Sequence, residues 1–452
     1  MENKLTEPYP GMKFIDPATA SRAEKRREHL LSGKNKHRSI SCGGTKPHYG
    51  ALSPGCRSCT EGTWSCLFIN GICNASCFYC PSPQNSKDQP MTNTLVFEKA
   101  SDYVSYVEEF GFRGVSISGG EPLLTFDRTL EYLKTVRASF PEMHLWMYSN
   151  GKLATVEKLR QLSAAGLNEI RFDISAFDYG LTAVEMASGI IETVTVEIPA
   201  IPEDQDLLQN LLPVMAHRGV HHLNLHQIRC TPHNRDNLVA RGYTFIRGQG
   251  LTVLESEITA LEILDYTEKQ QLPLPVNYCS FPYKNRYQAA AWRKHLAPHI
   301  LGSYESPTGT GYIRALYIHA PIEALEFFMS SLSTADTDIL FQLNKSRERL
   351  YLHPSLIESV PENLPLRVTY YNPVMLQSVS YQNLFREIQL QTGYRLVLEK
   401  YPVLEDRELT SGECHYIIRQ YHCRDNGSNN SPQKMSSLVP YECLEEGLAP
   451  YL

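Results

Sequence analysis

The chain has 452 residues, a formal net charge of −6, and a globular balance of 42% hydrophobic and 20% charged residues. At roughly 150 residues per domain this allows two or three domains, or one barrel of ~250 residues with additions. The charge excludes a strong overall field for nucleic acid or an anionic membrane, and no run of about 18 apolar residues could span a bilayer.

The segment Met1–Tyr9 is polar and lacks the apolar stretch of a secretory leader, so a cytoplasmic protein with no membrane partner is expected. Residues 1–41 carry nine Lys/Arg against five acids. They read as a polar basic arm: a solvated tail, a short surface helix, or a contact to an acidic partner. Twelve cysteines are present, dilute for a disulfide framework and suited to a reducing compartment. Seven of them (Cys42, Cys56, Cys59, Cys66, Cys73, Cys77 and Cys80) fall close together, which in such a chain reads as metal binding or redox chemistry. Residues 42–66 have no periodicity and are expected to be a metal-held loop.

From Leu67 short apolar runs alternate with amphipathic stretches. Leu67–Ile69, Gly114–Ile117, His144–Tyr148, Glu169–Phe172, Val194–Ile198 and His222–Leu225 read as strands. Leu95–Glu109, Phe126–Ser139, Thr155–Ala165 and Asp206–His217 read as helices. Alternation of this kind predicts an α/β fold with a parallel sheet. Its strands are expected to be apolar on both faces. Six units with right-handed crossovers give a partial (β/α)6 barrel over 67–300. Glu255–Thr267 reads as a further helix and Val276–Gln288 as an irregular crossing.

Beyond it, 301–424 reads as a small C-terminal α+β domain. Its expected strands are Tyr312–His319, Ile339–Leu343, Leu350–Leu352, Leu366–Tyr371, Tyr394–Leu398 and Tyr416–Gln420. Its expected helices are Ile322–Leu332 and Val379–Thr392. Residues 425–452 begin with DNGSNNSPQKMSS and are expected to form a flexible tail.

The chemistry centres on CNASCFYC, Cys73–Cys80. Three thiolates at CxxxCxxC spacing, after the first strand, can hold three irons of a [4Fe–4S] cube and leave the fourth open. Zinc or a bystander cluster is the bland alternative. After the second strand comes Ser118-Gly119-Gly120-Glu121-Pro122. Its glycines permit close backbone approach, its carboxylate could meet an ammonium, and its position puts it on the same barrel rim as the cysteines.

Together CxxxCxΦC, with Tyr79 at Φ, and GGEP resemble the radical S-adenosylmethionine (SAM) superfamily over about residues 66–290. The resemblance implies that Cys73, Cys77 and Cys80 ligate the cluster and are catalytic, and that SAM chelates the open iron. It implies adenine contact by the backbone at Tyr79, and amino-group binding by Gly119, Gly120 and Glu121 beside Ser118. Reduction by a donor such as flavodoxin or ferredoxin would yield a 5′-deoxyadenosyl radical that abstracts hydrogen from a substrate. That substrate could be a protein, peptide, RNA or metabolite. By analogy Asn150, Asp173 and Ser175, at later strand tips, are candidates for the ribose and carboxylate of SAM; ordinary turn chemistry is the alternative. Pro199 and His226 follow strands five and six. His226 reads equally as a substrate contact or an interior residue, and His221 and His222 as surface or packing residues. GCRSC, EIRFDIS, VEIPAIP and NYCSFPYKNRYQ resemble a group related to pyruvate formate-lyase activating enzymes.

A second set, Cys56, Cys59, Cys66 and Cys279, with Cys42 upstream and Cys230 as a further candidate, reads as an auxiliary iron–sulfur or zinc site. The alternative is buried free thiols. Cys414, Cys423 and Cys443 are not expected to be ligands. Lys284, Arg286 and Gln288 read as a solvated loop or as an anchor for a substrate carboxylate or phosphate. No Asp-x-His-x-x-Gly cobalamin signature is present. The competing class is a non-catalytic zinc- or iron–sulfur-stabilised binding module, which explains the cysteines but not GGEP.

Overall fold

The computed structural model describes residues 11–32, 38–85, 88–248, 250–332, 340–422 and 437–452. They form two compact units. One comprises the described residues within Met1–Thr92, Val96–Gln288 and Glu446–Leu452; the other lies within Asn93–Leu95 and Ala289–Glu445. No helix among the described residues is long and apolar enough to cross a membrane.

The first unit is built on seven parallel strands: β1 Trp64–Phe68, β2 Gly114–Ser118, β3 His144–Ser149, β4 Glu169–Phe172, β5 Thr193–Pro199, β6 His222–His226 and β7 Val276–Cys279. They pair in sequence order, every neighbour parallel. The sheet stays open. Lys46–Tyr49 pairs antiparallel to β7, and Met91–Thr92 antiparallel to β1. This is the expected partial barrel, with one strand more than expected.

Stability comes from the outer faces. Val115, Ile117, Leu145, Ile170, Val196 and Leu225 are all buried. Each fully buried side chain of this size contributes roughly 2 kcal/mol. The covering helices follow from local signals. In Val156–Ala164, Thr155 accepts from the Lys158 N–H at 3.2 Å and Leu159 and Leu162 turn inward. The inner faces are polar, against the expectation of strands apolar on both sides. Ser116, Glu169, Arg171, Thr195, Asn224 and Asn277 are buried there. They point into a bonded interior, so a period of two runs through EIRF, TVTVEIP and HLNLH.

The Cys-rich segment 42–66 is not a loop. Ser53 caps a helix, Pro54–Glu61, by accepting from the Cys56 N–H at 3.2 Å; Pro54 starts it and Gly62 ends it at φ 70°. Cys66 lies within β1, which begins at Trp64 rather than Leu67. The expected irregular crossing contains β7, followed by a π-helical turn, Tyr283–Gln288. The basic arm contributes a helix, Pro17–Leu31. Its Arg27 is buried against Glu257 (3.2 Å) and Glu24 (2.5 Å), and Arg26 reaches Glu262 (2.8 Å). Buried Arg27 is therefore not free for a partner.

The second unit is the expected α+β domain, an antiparallel sheet around Leu316, Ile318, Leu350, Val368 and Tyr370. Two of its elements differ from expectation. Leu384–Gln389 is a strand paired with Arg395–Glu408 rather than part of a helix, because cross-strand bonding outweighs a weak helical period. Tyr416–Gln420 lies inside a helix, Ser411–His422. Thr410 and Glu413 form its capping box: the Glu413 carboxylate accepts from the Thr410 N–H at 2.8 Å and the Thr410 hydroxyl from the Glu413 N–H at 3.3 Å. Of the expected flexible tail, Val439–Glu442 is helical, and Leu438 and Tyr451 are buried. The run 425–436, together with Ile339, lies outside the described residues.

Candidate functional site

The C-terminal tips of the barrel strands surround a cavity of about 500 Å³. Its walls include Cys73, Cys77 and Cys80 after β1, Ser118–Gly120 at β2, Asn150 after β3 and Asp173 after β4. Pro199 and His226 complete them at β5 and β6. A larger groove, about 680 Å³, lies at the opposite strand ends beside Asn168, Glu192 and His221. Among the described residues it holds no cysteine, so the chemistry selects the smaller cavity.

Two of the three thiols, Cys73 and Cys80, face N–H donors. Gln84 Nε2 donates to Cys80 Sγ (2.7 Å), the Ala75 N–H to Cys73 Sγ (3.4 Å), and Asn150 Nδ2 to Cys73 Sγ (3.7 Å). Burial pushes the Cys77 thiol up to about 11, so ligation of iron would have to displace its proton. No fourth cysteine lines the cavity among the described residues. Three thiolates, two of them with N–H donors on sulfur, and no fourth, suit a cube with one open iron.

Gly119 and Gly120 answer a packing demand. A Cβ on Gly119 would stand 2.4 Å from the Asn70 carbonyl oxygen, and one on Gly120 1.8 Å from that of Ile72. The Gly120 N–H donates to the Asn70 carbonyl (3.2 Å) and the Glu121 N–H to that of Ile72 (2.7 Å). The two glycines thus lock the β2 tip to the chain entering the cysteine loop. Glu121 departs from expectation. Its buried carboxylate accepts from the Leu123 N–H (3.0 Å), the Ser149 hydroxyl (2.9 Å) and the Asn150 N–H (2.7 Å). It braces the tips of β2 and β3 and does not line the cavity. Burial raises its pKa, and those donors oppose the rise.

Tyr79, Asp173 and Ser175 form one cluster. The Tyr79 hydroxyl lies 3.0 Å from Asp173 Oδ2 and 2.7 Å from Ser175 Oγ, and Ser175 donates to Asp173 Oδ1 (2.6 Å). Burial raises the Asp173 pKa against those donors. Ser175 does not line the cavity. The rings of Phe78 and Tyr79 pack on an apolar cluster containing Ile201, Phe245 and Val253. Sequence reasoning missed Asn234, whose Nδ2 donates to the Tyr79 carbonyl (2.9 Å) and fixes that backbone. Its only signal is a turn, TPHN, with nothing to link it to Tyr79.

The cavity floor is a charged lattice. Arg171 bonds Glu169 (2.8 Å) and Glu197 (2.6 Å); Glu197 also meets His226 Nε2 (2.7 Å). Burial opposes ionisation of Glu169, but Arg171, His144 and the Gly55 N–H together outweigh it and hold the carboxyl at about 2. Lys284 lines the cavity with its Nζ 3.2 Å from His226 Nδ1. Its two sequence companions lie elsewhere: Arg286 donates to the Gly447 carbonyl (3.2 Å) and Gln288 to Cys59 Sγ (2.9 Å).

The second cysteine set is regrouped. Cys56 and Cys59 share a helix face at i, i+3. Cys42, Cys56, Cys59 and Cys279 are all electrostatic neighbours of the Lys46 ammonium, Cys279 Sγ at 3.9 Å. Cys66 is not among them: on β1 it neighbours Ser116, Glu197 and Arg171. Strand alternation directs it into the barrel. Cys230 belongs to the apolar cluster. Cys414 and Cys443 lie in the second unit, and Cys423 outside the described residues. Among the described residues, no three Cys, His or acidic side chains converge on a position for a single metal ion.

Residues 67–204 match the model of the Radical SAM superfamily. Over that stretch the chain is similar to the radical SAM superfamily. A Methanocaldococcus jannaschii protein, named provisionally as a glycyl-radical enzyme activating enzyme, is 26% identical over 331 residues. The match covers 70% of this chain and 86% of that one. A GTP 3′,8-cyclase of Desulforamulus reducens is 27% identical over 112 residues, 25% of this chain and 34% of its own length. That likeness spans only about a third of the cyclase. Among solved structures, Streptococcus suis SuiB is 12% identical, with 49% of this chain and 51% of that one covered at a TM-score of 0.36.

Proposed function

We propose that this chain is a radical SAM enzyme that cleaves SAM reductively at a [4Fe–4S] cluster on Cys73, Cys77 and Cys80 and takes a hydrogen atom from its substrate. The observation that carries the reading is that these three thiols share one cavity with the tips of the following parallel strands. When bound and reduced by one electron, the cofactor pair supplies methionine and a 5′-deoxyadenosyl radical, which becomes 5′-deoxyadenosine on taking the hydrogen atom. The chain's part is orientation and exclusion of water. The Tyr79 backbone, pinned by Asn234, and Ser118, Gly119 and Gly120 offer fixed backbone groups. Asn150 and Asp173 offer polar side chains to SAM, while Glu121 and Ser175 act through their neighbours. Lys284 presents a cation to an anionic part of the substrate or cofactor. The electron would come from a small redox protein such as flavodoxin or ferredoxin.

A protein substrate, as for an activating enzyme, is the finer reading. A cavity of about 500 Å³ is the size of one drug-sized ligand. A cluster and SAM would fill most of it, leaving room for a small group presented from outside rather than a wholly enclosed metabolite. The long match to a relative named for activating a glycyl-radical enzyme supports the same reading.

The test is anaerobic loading with iron and sulfide, reduction with dithionite in the presence of SAM, and assay of 5′-deoxyadenosine. Wild type is expected to form it, and Cys73→Ala/Cys77→Ala/Cys80→Ala is expected to form none. A chain that takes up only zinc would be a binding module instead.

A further inference from the structure

Lys46 is 1% exposed, and its ammonium rests 4.0 Å from the centre of the Tyr283 ring. Among the described residues no carboxylate pairs with it. An unpaired buried ammonium is costly, so the groups around it must supply negative charge when the site is complete. Those groups are four thiols. Cys279 Sγ lies 3.9 Å from the ammonium, and Cys56, Cys59 and Cys42 are its next electrostatic neighbours.

The thiols also meet amide donors. Asn224 Nδ2 donates to Cys56 Sγ (3.3 Å), with Asn277 Nδ2 behind it (3.9 Å), and Gln288 Nε2 donates to Cys59 Sγ (2.9 Å). Side-chain amides aimed at sulfur stabilise thiolates and set cluster potentials. The scaffold is fixed: the Gly55 N–H at the start of the Cys56–Cys59 helix donates to Glu169 (2.9 Å). The Cys42 turn is held by the Gly447 N–H on the Gly43 carbonyl (2.7 Å). Four thiols fit either a tetrahedral ion or a cube. A redox cluster gains negative charge on reduction, which a buried ammonium and amide donors on sulfur stabilise, so a cluster is the better match.

We infer that Cys42, Cys56, Cys59 and Cys279 hold a second iron–sulfur cluster, with Lys46 as its buried counter-charge. Each thiol gives up its proton as it bonds iron. The two sites share no ligand, so each can be emptied separately.

The experiment uses the full chain, loaded anaerobically with iron and sulfide. Metal and labile sulfide per chain are measured, with electron paramagnetic resonance after reduction. In Cys73→Ala/Cys77→Ala/Cys80→Ala, about half the wild-type iron should remain, with a reduced-cluster signal that ignores added SAM. Adding Cys56→Ser/Cys59→Ser should remove that iron and signal. Cys66→Ser in the wild-type background should leave iron unchanged. Should the combined variant fail to fold, Cys42→Ser added alone to the triple variant, with its far-ultraviolet dichroism intact, must show the same loss. The inference is overturned if the triple variant holds no iron, or if its metal is zinc. It is equally overturned if iron survives loss of Cys56 and Cys59, or if Cys66→Ser halves the wild-type content.

Discussion

At the scale of single residues, the space at Gly120 is the strictest constraint in the site. A methyl group there would overlap the Ile72 carbonyl oxygen and push the cysteine loop off the β2 tip. Gly120→Ala is therefore expected to lose most of the iron bound by Cys73, Cys77 and Cys80 and to lower the melting temperature by several degrees. Glu121→Gln separates bracing from ligand contact. A neutral amide cannot accept all three hydrogen bonds equally well, so SAM affinity and melting temperature should fall together. An unchanged melting temperature with a tenfold loss of SAM affinity would restore the direct-contact role. Glu169 yields a pH prediction. Its folded pKa of about 2 lies below the ordinary 4.5, so its stabilisation is complete above about 4.5 and is lost as pH falls through 2. Glu169→Gln should remove on the order of 3 kcal/mol near neutrality and flatten the acid side of the stability profile, read by denaturant titration across pH.

At the scale of elements, the sequence was readable where periodicity and position agreed. The six strand–helix repeats, the cysteine loop after β1 and GGEP at the β2 tip needed only local patterns and the rule that parallel barrels bind ligands at one rim. Three things were hidden for physical reasons. β7 is four residues long and mixes polar Asn277 and Cys279, which face inward, with buried Val276 and Tyr278; without its neighbour β6 the run VNYC shows no face. The regrouping of Cys66 and Cys42 depends on strand parity and on a hairpin turn, neither encoded in cysteine spacing. Asn234 reaches Tyr79 only through tertiary folding. The Thr410–Glu413 capping box and the Ser53-Pro54…Gly62 helix signals, by contrast, stood in the sequence and were outweighed by β-forming residues and cysteine clustering. Asn234→Ala should weaken SAM binding several-fold while iron content stays at the wild-type level, as isothermal titration and iron assay would show.

At the scale of the whole molecule, the chain leaves the first unit at residue 288, builds the second, and returns with Glu446–Leu452. The returning segment is well tied within the first unit. Arg27 donates to the Ala449 carbonyl (2.8 Å), Tyr451 to Glu257 (2.7 Å), and the Gly447 N–H to Gly43 beside Cys42. Ending the chain at Glu445 should lower the melting temperature and release the iron assigned to the second cluster, while the iron on Cys73, Cys77 and Cys80 is retained. This threading also sets a clock. A ribosome adding about 5–20 residues per second exposes the seven thiols from Cys42 to Cys80 tens of seconds before the strap that closes over Cys42 is made. Throughout that interval they are open to whichever metal arrives first, and thiolates take copper and zinc more readily than iron. For the clusters proposed above, maturation would be a race against metal error, decided by how quickly iron and sulfide arrive while those thiols stand open.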